Sequence, residues 1–171
     1  RILRARRGVR SIDQEAKMSE SPSAADELLH ADHIMEYAYK RSLGPVLSHF
    51  FTGLRDRKMF GIKTAKGRVL VPPAEYDPET GDATDGFVEV GPGGVVESWS
   101  WVDKPKPKNH VQEPFAWALV KLDGADTAML HALRAPSSDD VSTGMRVTIQ
   151  WAAETTGCIQ DIACFVPEGK S

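Results

Sequence analysis

The pattern of apolar and polar positions divides the chain into a helical first third and a strand-rich remainder. From Glu27 to Tyr39 the apolar positions Leu28, Leu29, Ile34, Met35, Ala38 and Tyr39 recur at near-helical spacing behind Asp26, a residue suited to cap a helix N-terminus. Ser42-Leu-Gly-Pro45 interrupts that pattern, and Pro45 is favourable in the first turn of a second helix. In that helix Val46, Leu47, Phe50, Phe51 and Leu54 share one face, and the charges of Arg55-Asp-Arg-Lys58 end it. A face so apolar must be buried, against this chain's own barrel or against a partner, and spacing does not choose between the two.

After Lys58 the pattern changes to short strand-like segments separated by Gly, Pro and Asp, the signature of a small all-β domain of about five or six strands. The candidate segments are residues 59–63 with 68–71 as a hairpin, then 86–90, 94–102, 115–122, 128–134, 145–152 and 161–166. Alternation with period two is clearest in Val96-Glu-Ser-Trp-Ser-Trp101 and Arg146-Val-Thr-Ile-Gln-Trp151, which predicts one core face and one solvent face for each. Lys104-Pro-Lys-Pro-Lys108 reads as an extended loop.

With 171 residues, 41% of them hydrophobic and 26% charged, the chain accommodates one domain plus an extension. No apolar run is long enough to span a bilayer and no signal-peptide pattern is visible, so a cytoplasmic protein is expected. Cys158 and Cys164 form no CxxC pair and are expected as reduced thiols. The formal charge of −3 conceals an asymmetry. Six basic residues (Arg1, Arg4, Arg6, Arg7, Arg10, Lys17) face two acidic ones (Asp13, Glu15) in the first 17 positions, while the remainder is acidic. Met18 opens a Ser, Glu and Pro containing stretch, which favours a natural start there over a nucleic-acid-binding arm.

The segment from Lys63 to Gly81 has the skeleton of a zinc ribbon without its ligands. Gly67, Pro72-Pro73, Pro78 and Gly81 stand where the knuckle turns and connecting strand require them, but the four ligand positions hold Lys63, Lys66, Asp77 and Thr80. Zinc prefers thiolate and imidazole, and two lysines place like charge beside a dication, so no metal is expected. A pairing of Lys63 or Lys66 with Asp77 is expected in its place. In its order of helix, ribbon and barrel the chain resembles the DUF35 family of zinc-ribbon/OB-fold proteins that accompany thiolase-like enzymes. The resemblance spans residues 45–166 and is carried by Phe50-Phe-Thr-Gly-Leu54, Gly67-Arg-Val-Leu-Val-Pro-Pro73, Gly94-Val-Val-Glu-Ser-Trp-Ser-Trp101, Pro114-Phe-Ala-Trp-Ala-Leu-Val-Lys-Leu122 and Gly144-Met-Arg-Val147.

The expected fold is therefore mainly β: a flexible segment over 1–26, a helical arm over 27–58, a degenerate rubredoxin-like ribbon over 59–85 and an OB-fold barrel over 86–171. The resemblance implies a non-catalytic accessory subunit of a thiolase-like partner, of the lipid-transfer thiolase or aldolase type. Such a complex acts on acyl-CoA substrates, in steroid side-chain or fatty acyl degradation. It implies that Phe50, Phe51 and Leu54 dock the partner and that a coenzyme A thioester is a ligand of the complex. Trp99, Trp101, His131 and Arg134 are the candidates for contact with acyl-CoA or the partner.

No GxSxG elbow, phosphate loop, HExxH motif or activated cysteine is present in the sequence, in keeping with a chain that has no activity alone. Gly91-Pro-Gly-Gly94 reads as a tight turn rather than a phosphate cradle, because no helix follows it. His30 and His33, with Asp32 and Glu36 nearby, form at most a metal half-site on a solvated helix face. His110 lies in the proline-rich loop and is expected to be exposed. The alternatives are a single-stranded nucleic-acid-binding OB module, which the acidic surroundings of the tryptophans disfavour, and a stand-alone acyl-CoA-binding protein.

Overall fold

A computed structural model describes residues 31–169. The chain divides into two units, residues 1–40 and 41–171. In the first unit, the expected helix over 27–39 does not form across its described part: residues 31–40 have no regular structure, and Ile34, Met35, Tyr37 and Tyr39 are exposed. A thirteen-residue helix that buries no apolar face is marginal in water. Asp26, His30 and the basic segment lie outside the described residues.

In the second unit, α1 (Gly44–Arg55) carries proline in its first turn, as its sequence predicts. It ends in a Schellman-type closure, in which the Lys58 N–H donates to Gly53 O and the Arg57 N–H donates to Leu54 O, with Arg57 left-handed at φ 57°. The strands are β1 (Met59–Lys63), β2 (Val69–Leu70), β3 (Phe87–Val90), β4 (Gly93–Val102), β5 (Phe115–Leu122), β6 (Ala128–Leu133), β7 (Arg146–Trp151) and β8 (Ile162–Pro167). They number eight, and each falls on a segment expected from the sequence. They form a three-stranded antiparallel sheet in the order β2-β1-β3 and a closed barrel in the order β4-β5-β6-β8-β7. Strand β3, expected in the barrel, instead pairs with β1 from Met59↔Val90 to Ile62↔Phe87.

The barrel is antiparallel except at the β6–β8 seam, where parallel pairing is limited to Leu133↔Phe165. Period-two alternation holds along β5, where Ala116, Ala118, Val120 and Leu122 are core residues. It fails along β4: a bulge between Val96 and Ser98 leaves Glu97 and Ser98 both exposed, so the core face passes from Val96 to Trp99 and Trp101. One extra residue in a strand has this consequence, and the strict alternation expected of this segment is corrected accordingly.

One hydrophobic core joins Phe50 and Leu54 of α1, Met59 of β1 and Val90 of β3 to Val96, Val147, Ile162 and Phe165 of the barrel. A second, outer layer of Phe115, Ala132 and Cys164 is packed by Val102, Val111, Trp117 and Val166. Val111 brings the loop 103–114 over that side of the barrel. Cys158 and Cys164 are free thiols, and burial raises the pKa of Cys164 against the opposing influence of Arg134. No helix among the described residues is long and apolar enough to cross a membrane.

Candidate functional site

The ribbon retains both knuckle turns without a metal. In the first, the Gly67 N–H donates to Thr64 O and the Thr64 N–H to Arg68 O. In the second, the Gly81 N–H donates to Asp77 O and the Glu79 N–H to Asp77 Oδ1, each at 2.8 Å. The ion pair that joins the knuckles is not the expected one to Asp77. Lys66 pairs with Glu79, and Arg68 Nη1 lies 2.8 Å from the other oxygen of that carboxylate. Asp77 is 4% exposed, its Oδ1 caps its own turn and its buried Oδ2 has no hydrogen-bond partner, whereas Glu79 is within reach of both cations. The hydrogen bonds from Lys66 and then Arg68 lower the Glu79 pKa, and the same pairing raises that of Lys66. Lys63, Lys66, Asp77 and Thr80 do not fit a zinc ion, and among the described residues no group of three or more His, Cys, Asp or Glu is placed to hold a metal. His33 lies outside any helix, and its proposed partner His30 lies outside the described residues.

Phe50 and Leu54 are not available to a partner. Both are buried in the chain's own core, which answers the choice that spacing left open, and the docking role assigned to them is corrected. Phe51 is half-buried, packs against the same core and lines a shallow cavity with Leu43, Arg55 and Gly157. The reason is the approach of α1 to the loop after β7: Thr155 Oγ1 donates to Arg55 O at 2.7 Å, and Arg57 donates to Ala153 O at 3.1 Å. Trp99 and Trp101 are likewise turned to the core by the β4 bulge.

The structure does bring His131 and Arg134 to adjoining concavities beside the β6–β8 seam. A cavity of about 300 Å³ is lined by Lys108, His110, Trp117, Leu130, His131 and Ile159, among others. His110 also lines a neighbouring cavity of about 330 Å³ with Arg134 and Cys164. Arg134 and Glu113 in turn line a third of about 510 Å³ with Pro136 and Val166. Shared lining residues make these a continuous furrow under the loop 103–114. His131 is 8% exposed, packs edge-on to Phe165 with ring centroids 6.0 Å apart, and has no hydrogen-bond partner at Nδ1. Burial lowers its pKa, overcoming backbone groups of Ala132 and Ile159 that favour the cation, so the ring is neutral at pH 7. Arg134 is held by a side-chain hydrogen bond to Gln150, which also accepts from Cys164 Sγ at 3.3 Å.

Sequence reasoning missed Trp117, Leu130 and Ile159. Their one signal was parity: Trp117 and Leu119 fall opposite the core residues Ala116, Ala118 and Val120, on a face that should be polar.

Residues 87–152 match the family model described as ChsH2, C-terminal OB-fold domain. Among solved structures the chain is similar to a DUF35-family protein of unknown function from Sulfolobus solfataricus, at 25% identity over 62% of this chain and 78% of that one, with a TM-score of 0.51. Together these two matches support a DUF35 family assignment. A further similar structure is the Ltp2-ChsH2(DUF35) aldolase, at 21% identity over 75% of this chain and 98% of that one, with a TM-score of 0.56. At that identity the likeness is one of fold. No curated protein matches. The DUF35 similarity agrees with the helix, ribbon and barrel order, and in this chain the two ribbon knuckles are joined by ion pairs.

Proposed function

We propose that this chain is a non-catalytic accessory subunit of a thiolase-like complex, of the lipid-transfer thiolase or aldolase type, acting on acyl-CoA substrates in steroid side-chain or fatty acyl degradation. The observation that carries the reading is the similarity to the DUF35 component of an aldolase across 98% of that component. The furrow supports it: a neutral histidine in an apolar pocket beside an arginine-lined cavity suits contact with a partner or with a CoA thioester at the edge of a shared site. In this reading the reacting groups belong to the large subunit. His131 and Arg134 then contribute to the rim of the shared site, while Trp99 and Trp101 support it from within the barrel.

Affinity purification of the full chain from its host at low salt, followed by size-exclusion chromatography and mass spectrometry, tests the reading. A stoichiometric thiolase-sized subunit is expected, and the pair should cleave or condense a CoA thioester that neither subunit turns over alone. Recovery of the chain by itself, or with nucleic acid, would overturn it.

A further inference from the structure

We propose that the outer face of β5 and β6 around the His131 pocket is a protein-docking surface. Its partner segment seats an apolar side chain in the pocket and flanks it with carboxylates. The proposal rests on the accessory-subunit reading and supplies the surface which that reading lost when Phe50 and Leu54 proved to be core.

Three observations converge on this face. Leu119 and Leu130 are cross-strand neighbours on β5 and β6, both pointing outward and both exposed, and Ile159 at the pocket rim is exposed with them. An apolar surface concentrated around a concavity marks an interaction site more reliably than scattered exposed leucines do. The pocket holds about 300 Å³, at the lower end of the roughly 300–1,000 Å³ typical of small-molecule sites. Leu119 does not line it, so a ligand confined to the pocket leaves Leu119 uncovered where a protein would cover both. Lys108 lines the pocket itself and no carboxylate does, the nearest lining carboxylate being Glu113 farther along the furrow. Lys104 and Lys106 precede Lys108 on the same loop, and Lys121 follows Leu119 two residues along the same face of β5. Among the described residues no ion pair engages any of these four lysines. An exposed apolar centre with the unpaired Lys108 at its pocket and Lys121 on the same strand face is complementary to an apolar residue set beside Asp or Glu.

The test uses the full chain and the thiolase-like subunit recovered with it, with affinities measured at two salt concentrations. Leu130→Asp is expected to weaken binding by at least about tenfold. Lys108→Glu should weaken it less and reduce its salt dependence. Tyr76→Asp, an exposed aromatic on the ribbon, should leave it unchanged, and Leu130→Thr with an unaltered melting curve controls for folding. If the wild-type chain binds and Leu130→Asp binds equally well, the surface is wrong while the accessory reading stands. If the wild-type chain binds no thiolase-like subunit, both fall. Two further outcomes overturn the proposed occupant: self-association abolished by Leu130→Asp, which assigns the face to a second copy, and binding of coenzyme A or its acetyl thioester by the isolated chain that Leu130→Asp abolishes.

Discussion

Leu119 on β5 and Leu130 on β6 stand directly opposite each other across an antiparallel pair, and both side chains face solvent, at 38% and 60% exposure. A cross-strand pair of this kind contributes roughly 0.2–1 kcal/mol when its members contact. That is small beside the apolar area left uncovered. Leu130→Thr should therefore change stability by no more than about 0.5–1 kcal/mol in urea unfolding, while reducing binding of an apolar dye to the native protein.

Truncation at the helix face should behave in the opposite way. Phe50 and Leu54 are buried between α1 and the barrel core, so Leu54→Ala should cost about 2–5 kcal/mol and Phe50→Ala about 3–5 kcal/mol. Chemical denaturation of the isolated chain checks this. Loss of partner binding without loss of stability would contradict the assignment of these residues to the core.

At Gly94, β4 lies close against the backbone of β5. A Cβ there would stand 2.6 Å from Lys121 O and 3.0 Å from Leu122 Cα, both backbone atoms that cannot yield independently. Gly94→Ala should destabilise by about 1–3 kcal/mol through overpacking, measurable as a lower urea midpoint with an unchanged slope.

The acid limb of the stability curve should carry the mark of Asp161. Burial by itself raises the pKa of this carboxyl, but N–H donors from Thr156, Gly157 and Cys158 outweigh burial and hold it below the usual range. A folded pKa below the unfolded value near ~3.9 means that stability is fully present above that value. It is lost as pH falls towards and through the folded pKa. Asp161→Asn should be less stable at pH 7, with the difference from wild type shrinking below pH ~4.

His131 predicts a second, milder dependence at higher pH. Its folded pKa is lowered by burial, so below the unfolded value near ~6.5 the unfolded chain binds the additional proton and native stability declines until the folded pKa is passed. Replacing His131 by Gln should flatten the stability profile immediately below pH ~6.5 while leaving the Asp161 limb in place.

Much of the fold was legible in the sequence. Each strand segment read from the sequence corresponds to a strand, and α1 is where Pro45 and the Phe50/Leu54 face place it, because turn residues and periodicity are local properties of a chain. The degenerate ribbon was also legible, since glycines and prolines determine its turns whether or not a metal is bound. The site was less legible. His131 and Arg134 could be named as candidates, but their neighbours Trp117, Leu130 and Ile159 come from three separate segments and share no sequence pattern.

What the sequence by itself determined is the placement of the strand segments, the breaks between them and the residue types at the knuckle positions, all set by residue type and short-range spacing. The tertiary structure alone decided which apolar faces find partners within the chain. The face bearing Phe50 and Leu54 is closed against the barrel, while Leu119 and Leu130 remain open; burial is a property of what approaches a side chain, and that depends on contacts distant in sequence. The same reason explains Glu79 in place of Asp77 as the partner of Lys66. It also explains why the partly buried Trp99 and Trp101 pack against the core, since one bulged residue in β4 reversed the face they present.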